Sequence, residues 1–204
     1  MLRVGRLRAL SLAAALVGWS FVSPRLPPVW RVTLQACVGA LLMAVSGAPL
    51  GLRPPRLWAG VRLGSAAGAA AASAIAASSA LPIVRASMAV REPPESVPGW
   101  LLLRIPVGTV WAEEAAFRGA LARAASRAFG RRAGRLLQAT AFGLSHIPDA
   151  RATGAPVAGT VLVTGVAGWV FGWLADRCGS LAAPMLAHLA INEAGAIAAV
   201  AVQP

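Results

Sequence analysis

The sequence predicts an all-α fold inside a membrane, a polytopic bundle of about seven transmembrane helices. Three observations carry that expectation. Of 204 residues, 57% are hydrophobic and 13% charged, against roughly 45–50% and 25% in ordinary soluble domains. The mean hydropathy is +0.67. The charges fall mostly between apolar stretches of the length that crosses a hydrocarbon core about 30 Å thick. This composition excludes a disordered chain and argues against a soluble enzyme. Cys37 and Cys178 are too few for a disulfide framework.

Seven stretches qualify: 8–23, 32–50, 62–84, 99–122, 135–150, 156–175 and 180–202. The first follows Arg3, Arg6 and Arg8 and has the outline of a signal peptide. It lacks an A-x-A site, and Pro24 is ill placed after a cleavage, so it reads as an uncleaved helix. The third, from Gly64 to Leu81, is nearly all Ala, Gly and Ser. Gly64 and Gly68, like Gly168 and Gly172 in the sixth, have the small-residue spacing of close helix packing. The polar, proline-rich segment 91–99 (REPPESVPG) separates N-terminal membrane helices over 1–90 from a four-helix part over 100–204.

The net charge is +12, and all 19 basic residues are arginine. A basic chain can bind nucleic acid, but arginines placed between apolar stretches suit membrane topology better, and no nucleic-acid partner is expected. With the N-terminus in the cytoplasm, twelve arginines fall inside and six outside (Arg25, Arg31, Arg85, Arg91, Arg104 and Arg151). The positive-inside rule therefore favours a cytoplasmic N-terminus in the cell membrane and, with seven helices, an outside C-terminus. The segment 123–135 reads as a basic cytoplasmic loop against lipid headgroups.

Ionisable groups inside a membrane are costly and mark functional sites. Here they are Glu113, Glu114 and Arg118 in the fourth stretch, His146 in the fifth, and His188 and Glu193 in the seventh. Beside them stands Asn192, the chain's one asparagine, and both histidines of the chain are in this set. At 1.5 Å per residue, Glu113, His146, His188 and Asn192 lie roughly 12–18 Å from the cytoplasmic ends of their helices, near the bilayer midplane.

The spacing within each helix adds detail. Glu114 and Arg118 are i,i+4 neighbours and can pair. Glu113 is then left without a partner on its own helix, with Phe117 on its face to keep it dry. A desolvated carboxylate suits a general base. His188 and Asn192 share a face, as do Phe142 and His146. One carboxylate, two imidazoles and a carboxamide can hydrolyse an amide, the carboxylate taking a proton from water and the other groups orienting it and stabilising an oxyanion. Ser145 adjoins His146, but residues one apart on a helix diverge by about 100°, which disfavours it as a nucleophile. No cofactor is expected. Zinc is the rival arrangement, with Glu113, His146 and His188 as ligands, but the chain lacks an HExxH signature. Helix five is short, since Pro148 and Asp149 follow His146 almost at once, and no role is evident for Glu193.

Three short motifs draw these residues together. Glu113-Glu114-Ala-Ala-Phe117-Arg118-Gly119 resembles EExxxR in its EExxFRG form, Phe142 to His146 resembles FxxxH, and His188 to Asn192 resembles HxxxN. In this order on successive helices they resemble the CPBP family of intramembrane proteases, which includes Rce1-like type II CAAX prenyl proteases and bacteriocin-processing or immunity proteins. The resemblance covers about residues 100–200. It implies an intramembrane endopeptidase that cuts a membrane-associated peptide or protein. Glu113 would activate water, His188 would help bind it, and His146 and Asn192 would form the oxyanion site. Glu114 and Arg118 would support them. The alternatives are a non-catalytic scaffold or immunity protein of the same fold, or a proton-coupled transporter.

Overall fold

The computed structural model describes residues 2–89 and 94–203. Part of the expected linker, 91–93 with Arg91, therefore lies outside the described residues, and every regular element among those described is a helix. The N-terminal part holds α1 (Leu2–Val22), α2 (Pro28–Ser46), α3 (Arg56–Ser79) and the short α4 (Pro82–Ala89). One helical run then spans 97–129. It begins with the single turn α5 (Val97–Gly99), where the Ser96 hydroxyl caps the Gly99 N–H at 3.1 Å. It widens into two π-wound segments, π1 (Trp100–Trp111) and π2 (Glu114–Leu121), and closes as α6 (Ala122–Phe129). After it come α7 (Arg131–Leu144), α8 (Ile147–Ala152), α9 (Val157–Cys178) and α10 (Ala182–Ala201).

The all-helical expectation holds, but length and apolarity do not reproduce seven spans. Among the described residues three helices are long and apolar enough to cross a membrane: Arg3–Arg25, α9 and α10. The α3–α4 pair, bent by 92°, would make a fourth. Local chemistry accounts for the shortfall. The fourth stretch contains Glu113, Glu114 and Arg118 and is π-wound around Pro106, which has no N–H and crowds the preceding turn, so α winding cannot close there. The 14 residues of α7 reach only about 21 Å. The backbone breaks at Ser145 and His146, and Pro148 opens the first turn of α8, a position where its missing N–H is harmless.

The segment 123–135 is not a loop. Two helices meet at Gly130, whose φ of +82° takes the chain through a region that favours glycine. Gly134 lets them close up, since a Cβ there would lie 2.6 Å from the Ser126 backbone nitrogen. Ala125 and Ala128 of this segment are buried and pack on Ala9 of α1.

The small-residue stripes are packing surfaces. Gly60, Gly64 and Gly68 are buried on α3, and a Cβ on Gly64 would lie 2.6 Å from the Ala183 carbonyl oxygen of α10. A Cβ on Gly168 of α9 would lie 2.9 Å from the Phe142 ring of α7. Lipid supplies no hydrophobic drive between helices, so close backbone contact and dispersion hold such pairs together. The N-terminal helices form part of the same core. Ala13 and Leu16 of α1 pack with Phe117 and Leu121 of π2 and Phe142 of α7. Outward-facing Leu7, Trp58, Leu102 and Leu162 are exposed, as a lipid-facing surface requires.

Candidate active site

The side chains of π2, α7, α9 and α10 meet in a buried polar cluster. The Glu114 and Arg118 side chains are both 0% exposed and pair at 3.1 Å across one turn. Burying an ion pair is costly unless further contacts support it. Here Glu114 Oε1 also accepts a 2.8 Å hydrogen bond from His188 Nδ1. The Arg118 guanidinium lies 3.9 Å from the ring centroid of Phe142 and 5.0 Å from that of Phe171, and such cation–π contacts are worth about 2 kcal/mol or more when desolvated. Phe171 stacks on the His188 imidazole at 5.0 Å, and Phe142 meets Phe117, His146 and His188 edge-on. Three of the chain's five phenylalanines therefore enclose this cluster.

The bond to Glu114 fixes the orientation of His188. In the neutral ring Nδ1 carries the proton, so Nε2 offers a lone pair. That nitrogen lies 3.9 Å from Glu113 Oε2. Glu113 Oε2 is buried yet has no hydrogen-bond partner, while the Glu113 side chain as a whole is 27% exposed. Two adjacent glutamates thus face opposite ways, Glu114 into the packed cluster and Glu113 onto a cavity of about 600 Å³.

Glu113, His146, His188 and Asn192 all line that cavity, with Phe117 beside them. Spacing along the helices expects these four at one level, and all four line this one cavity. His146 sits at the break after α7 and holds its Nδ1 2.8 Å from the Phe142 carbonyl. Asn192 spends one amide proton on the His188 carbonyl at 3.3 Å and has a second to give. Ser145 Oγ is 3.4 Å from His146 Nδ1, closer than sequence spacing suggests. Both groups are nonetheless directed at the same Phe142 carbonyl, Ser145 at 2.8 Å, so the serine is not set up as a nucleophile. Among the described residues no three His, Cys, Asp or Glu side chains converge as a metal-ligand set, and Glu113, His146 and His188 are not arranged to hold zinc. Glu193 Oε1 is buried without a hydrogen-bond partner, and nothing in the structure explains it.

Sequence reasoning missed Phe171, although its presence among so few phenylalanines was a usable signal. It also missed the cavity walls supplied by α1 and α2, where Leu16, Trp19 and Gln35 face the site. No local pattern marks those residues, because their role arises only from tertiary packing.

Residues 95–194 match the family model described as type II CAAX prenyl endopeptidase Rce1-like. This half of the chain belongs to the Rce1-like family. The match runs from just before α5 into α10 and contains Glu113, Glu114, Arg118, His146, His188 and Asn192. Proteins of the Rce1-like family are generally proteases. Together with the apolar helices, the family makes this chain an integral membrane protein. Helices α1, α2 and α3 lie outside the Rce1-like region, yet α1 and α2 help wall its cavity. No curated protein and no solved structure matches the chain.

Proposed function

We propose that the chain is an intramembrane endopeptidase that hydrolyses a peptide bond in a membrane-associated peptide or protein, with water activated by Glu113. The observation that carries this reading is the pairing of Glu113 Oε2 with His188 Nε2 across 3.9 Å on the cavity wall, the carboxylate oxygen having no other partner. Both are acceptors when His188 is neutral. A water donating one proton to each is held with an oxygen lone pair turned toward the cavity.

Attack of that oxygen on the peptide carbonyl carbon passes the water proton to Glu113 and leaves charge on the carbonyl oxygen. Asn192 donates its second amide proton to that oxyanion. His146, whose Nδ1–H is directed at the Phe142 carbonyl, adds an Nε2–H donor in its imidazolium form. Protonated Glu113 then gives its proton to the departing amine nitrogen as the C–N bond breaks, releasing a carboxylate and an amine. Glu114, Arg118 and Phe171 act through His188 by holding its ring and tautomer. The site lies near the bilayer midplane, with the N-terminus cytoplasmic and the C-terminus outside.

The test is a comparison of membrane-protein termini in cells that express the wild type or Glu113→Gln at matched levels. New termini seen only with the wild type are the expected result. An identical set of termini from both, with both proteins inserted, contradicts the reading.

A further inference from the structure

Helices α9 and α10 are both long and apolar enough to cross a membrane, so the turn that joins them lies at a membrane surface. The segment between α2 and α3 is fastened to that turn. The Leu181 N–H donates to the Leu50 carbonyl at 2.9 Å. A Cβ on Gly51 would overlap the Gly179 carbonyl oxygen, and the φ of +65° at Gly51 favours glycine. Residues 50–56 line a cavity of about 440 Å³ at this level, a size usual for small-ligand sites. It shares no lining residue with the cavity of the candidate active site.

Arg53 and Arg56 both line this second cavity, and both are exposed. Among the described residues neither guanidinium has a hydrogen bond or an ion pair. Residues 46–62 and 173–181 hold Arg53, Arg56, Arg62 and Arg177 against one acid, Asp176. Asp176 is itself bound to Arg135 at 2.6 Å, so the charge at the cavity is uncompensated. Leu52, also on the cavity, is 40% exposed, and Trp58 is 58% exposed. Trp58 lies one turn on from Pro54 of the cavity wall, and helical side chains lean back over the turn before them. Tryptophan favours the boundary between acyl chains and headgroups. A planar guanidinium fork matches a phosphate with two parallel bonds. A soluble anion uses only the arginines, whereas a phospholipid uses the arginines and the apolar side chains.

We propose that this second cavity binds the headgroup of an anionic phospholipid, with Arg53 and Arg56 on its phosphate and Leu52 and Trp58 against its acyl chains. The proposal stands apart from the catalytic reading of the other cavity. A zwitterionic lipid carries its own cation and leaves the two arginines uncompensated, so a net negative lipid is preferred. The fastening to Gly179 and Leu181 holds the segment in place before the lipid arrives, which keeps the ordering cost of binding small. Leu181 immediately precedes α10, the helix of His188 and Asn192. A lipid held here therefore braces the end of the helix that carries two candidate site residues.

The experiment uses the full chain in neutral detergent micelles and phospholipids with brominated acyl chains, which quench tryptophan on contact. In each background the Trp58 signal is the difference between the chain with and without Trp58→Phe. Brominated phosphatidylglycerol is expected to quench it at about tenfold lower concentration than brominated phosphatidylcholine. Arg53→Gln with Arg56→Gln should erase that preference. Arg127→Gln with Arg131→Gln, which removes the same charge from exposed sites on α6 and α7, should leave it intact. Each variant is read as a ratio between two lipids, so a loss of folded protein lowers both signals and does not mimic the result. Soluble glycerol phosphate at the same concentration should not displace phosphatidylglycerol. Equal quenching by the two lipids, or no quenching by phosphatidylglycerol, overturns the proposal. So does a preference that survives loss of Arg53 and Arg56, or one that loss of Arg127 and Arg131 erases. Displacement by glycerol phosphate also overturns it, since the cavity then holds a free phosphate.

Discussion

Glu113 and Glu114 are the same residue type, adjacent in the chain, in two different environments. Glu114 is sealed against Arg118 and His188, with its side chain 0% exposed. Glu113 stands on the cavity wall with its side chain 27% exposed and one oxygen unpartnered. The helix turns the two carboxylates apart, so one can be structural while its neighbour is free to react. A carboxylate committed to an ion pair and a hydrogen bond is poorly placed to exchange protons with a substrate. A carboxylate without such partners, beside an imidazole lone pair, is well placed to do so.

Substitutions at the two glutamates and around them separate the reactive role from the structural one. The largest expected effect is on turnover. Glu113→Gln should lower kcat by roughly 10³–10⁴-fold, the scale of general acid–base catalysis, with thermal unfolding in detergent nearly unchanged. Glu114→Ala should act mainly on stability. Leaving Arg118 buried without its partner should cost about 3–5 kcal/mol, read as lower unfolding resistance in detergent. If Glu114→Ala is as stable as the wild type, the buried pair is not structural. Asn192→Ala should reduce kcat by about 10²-fold, as loss of one oxyanion donor does, with a smaller change in KM. A change confined to KM would place Asn192 in substrate binding. The smallest expected effect is that of exhaustive chelation, which should leave turnover unchanged. Loss of activity on chelation, with recovery on adding zinc, would show that the cavity residues rearrange around a metal.

The helical class and the polar set were legible in the sequence because both rest on short-range pattern. Apolar length signals membrane helices, and i,i+4 spacing brought out Glu114 with Arg118 and His188 with Asn192. The break after His146 was legible from Pro148. The glycine stripes on α3 and α9 were legible because a missing Cβ has few other uses in a membrane helix. Seven spans were not recovered, because hydropathy counts apolar residues without seeing where Pro106 forces π winding or where Gly130 folds a basic segment into two helices. Phe171, Leu16, Trp19 and Gln35 were not legible as site residues. Their part depends on helices distant in sequence meeting around one cavity, and no local spacing encodes that meeting.

The most direct test of the division between the two glutamates measures both properties on both variants. Glu113→Gln and Glu114→Gln would be purified alongside the wild type. Each would be assayed for unfolding in detergent and for the wild-type-dependent protein termini it produces in cells at matched expression. The expected result is a crossed pattern: Glu113→Gln unfolds like the wild type and produces none of those termini, while Glu114→Gln unfolds more readily and, where it is folded, still produces them. Cleavage that persists in Glu113→Gln and disappears in folded Glu114→Gln would contradict the account and make Glu114 the base.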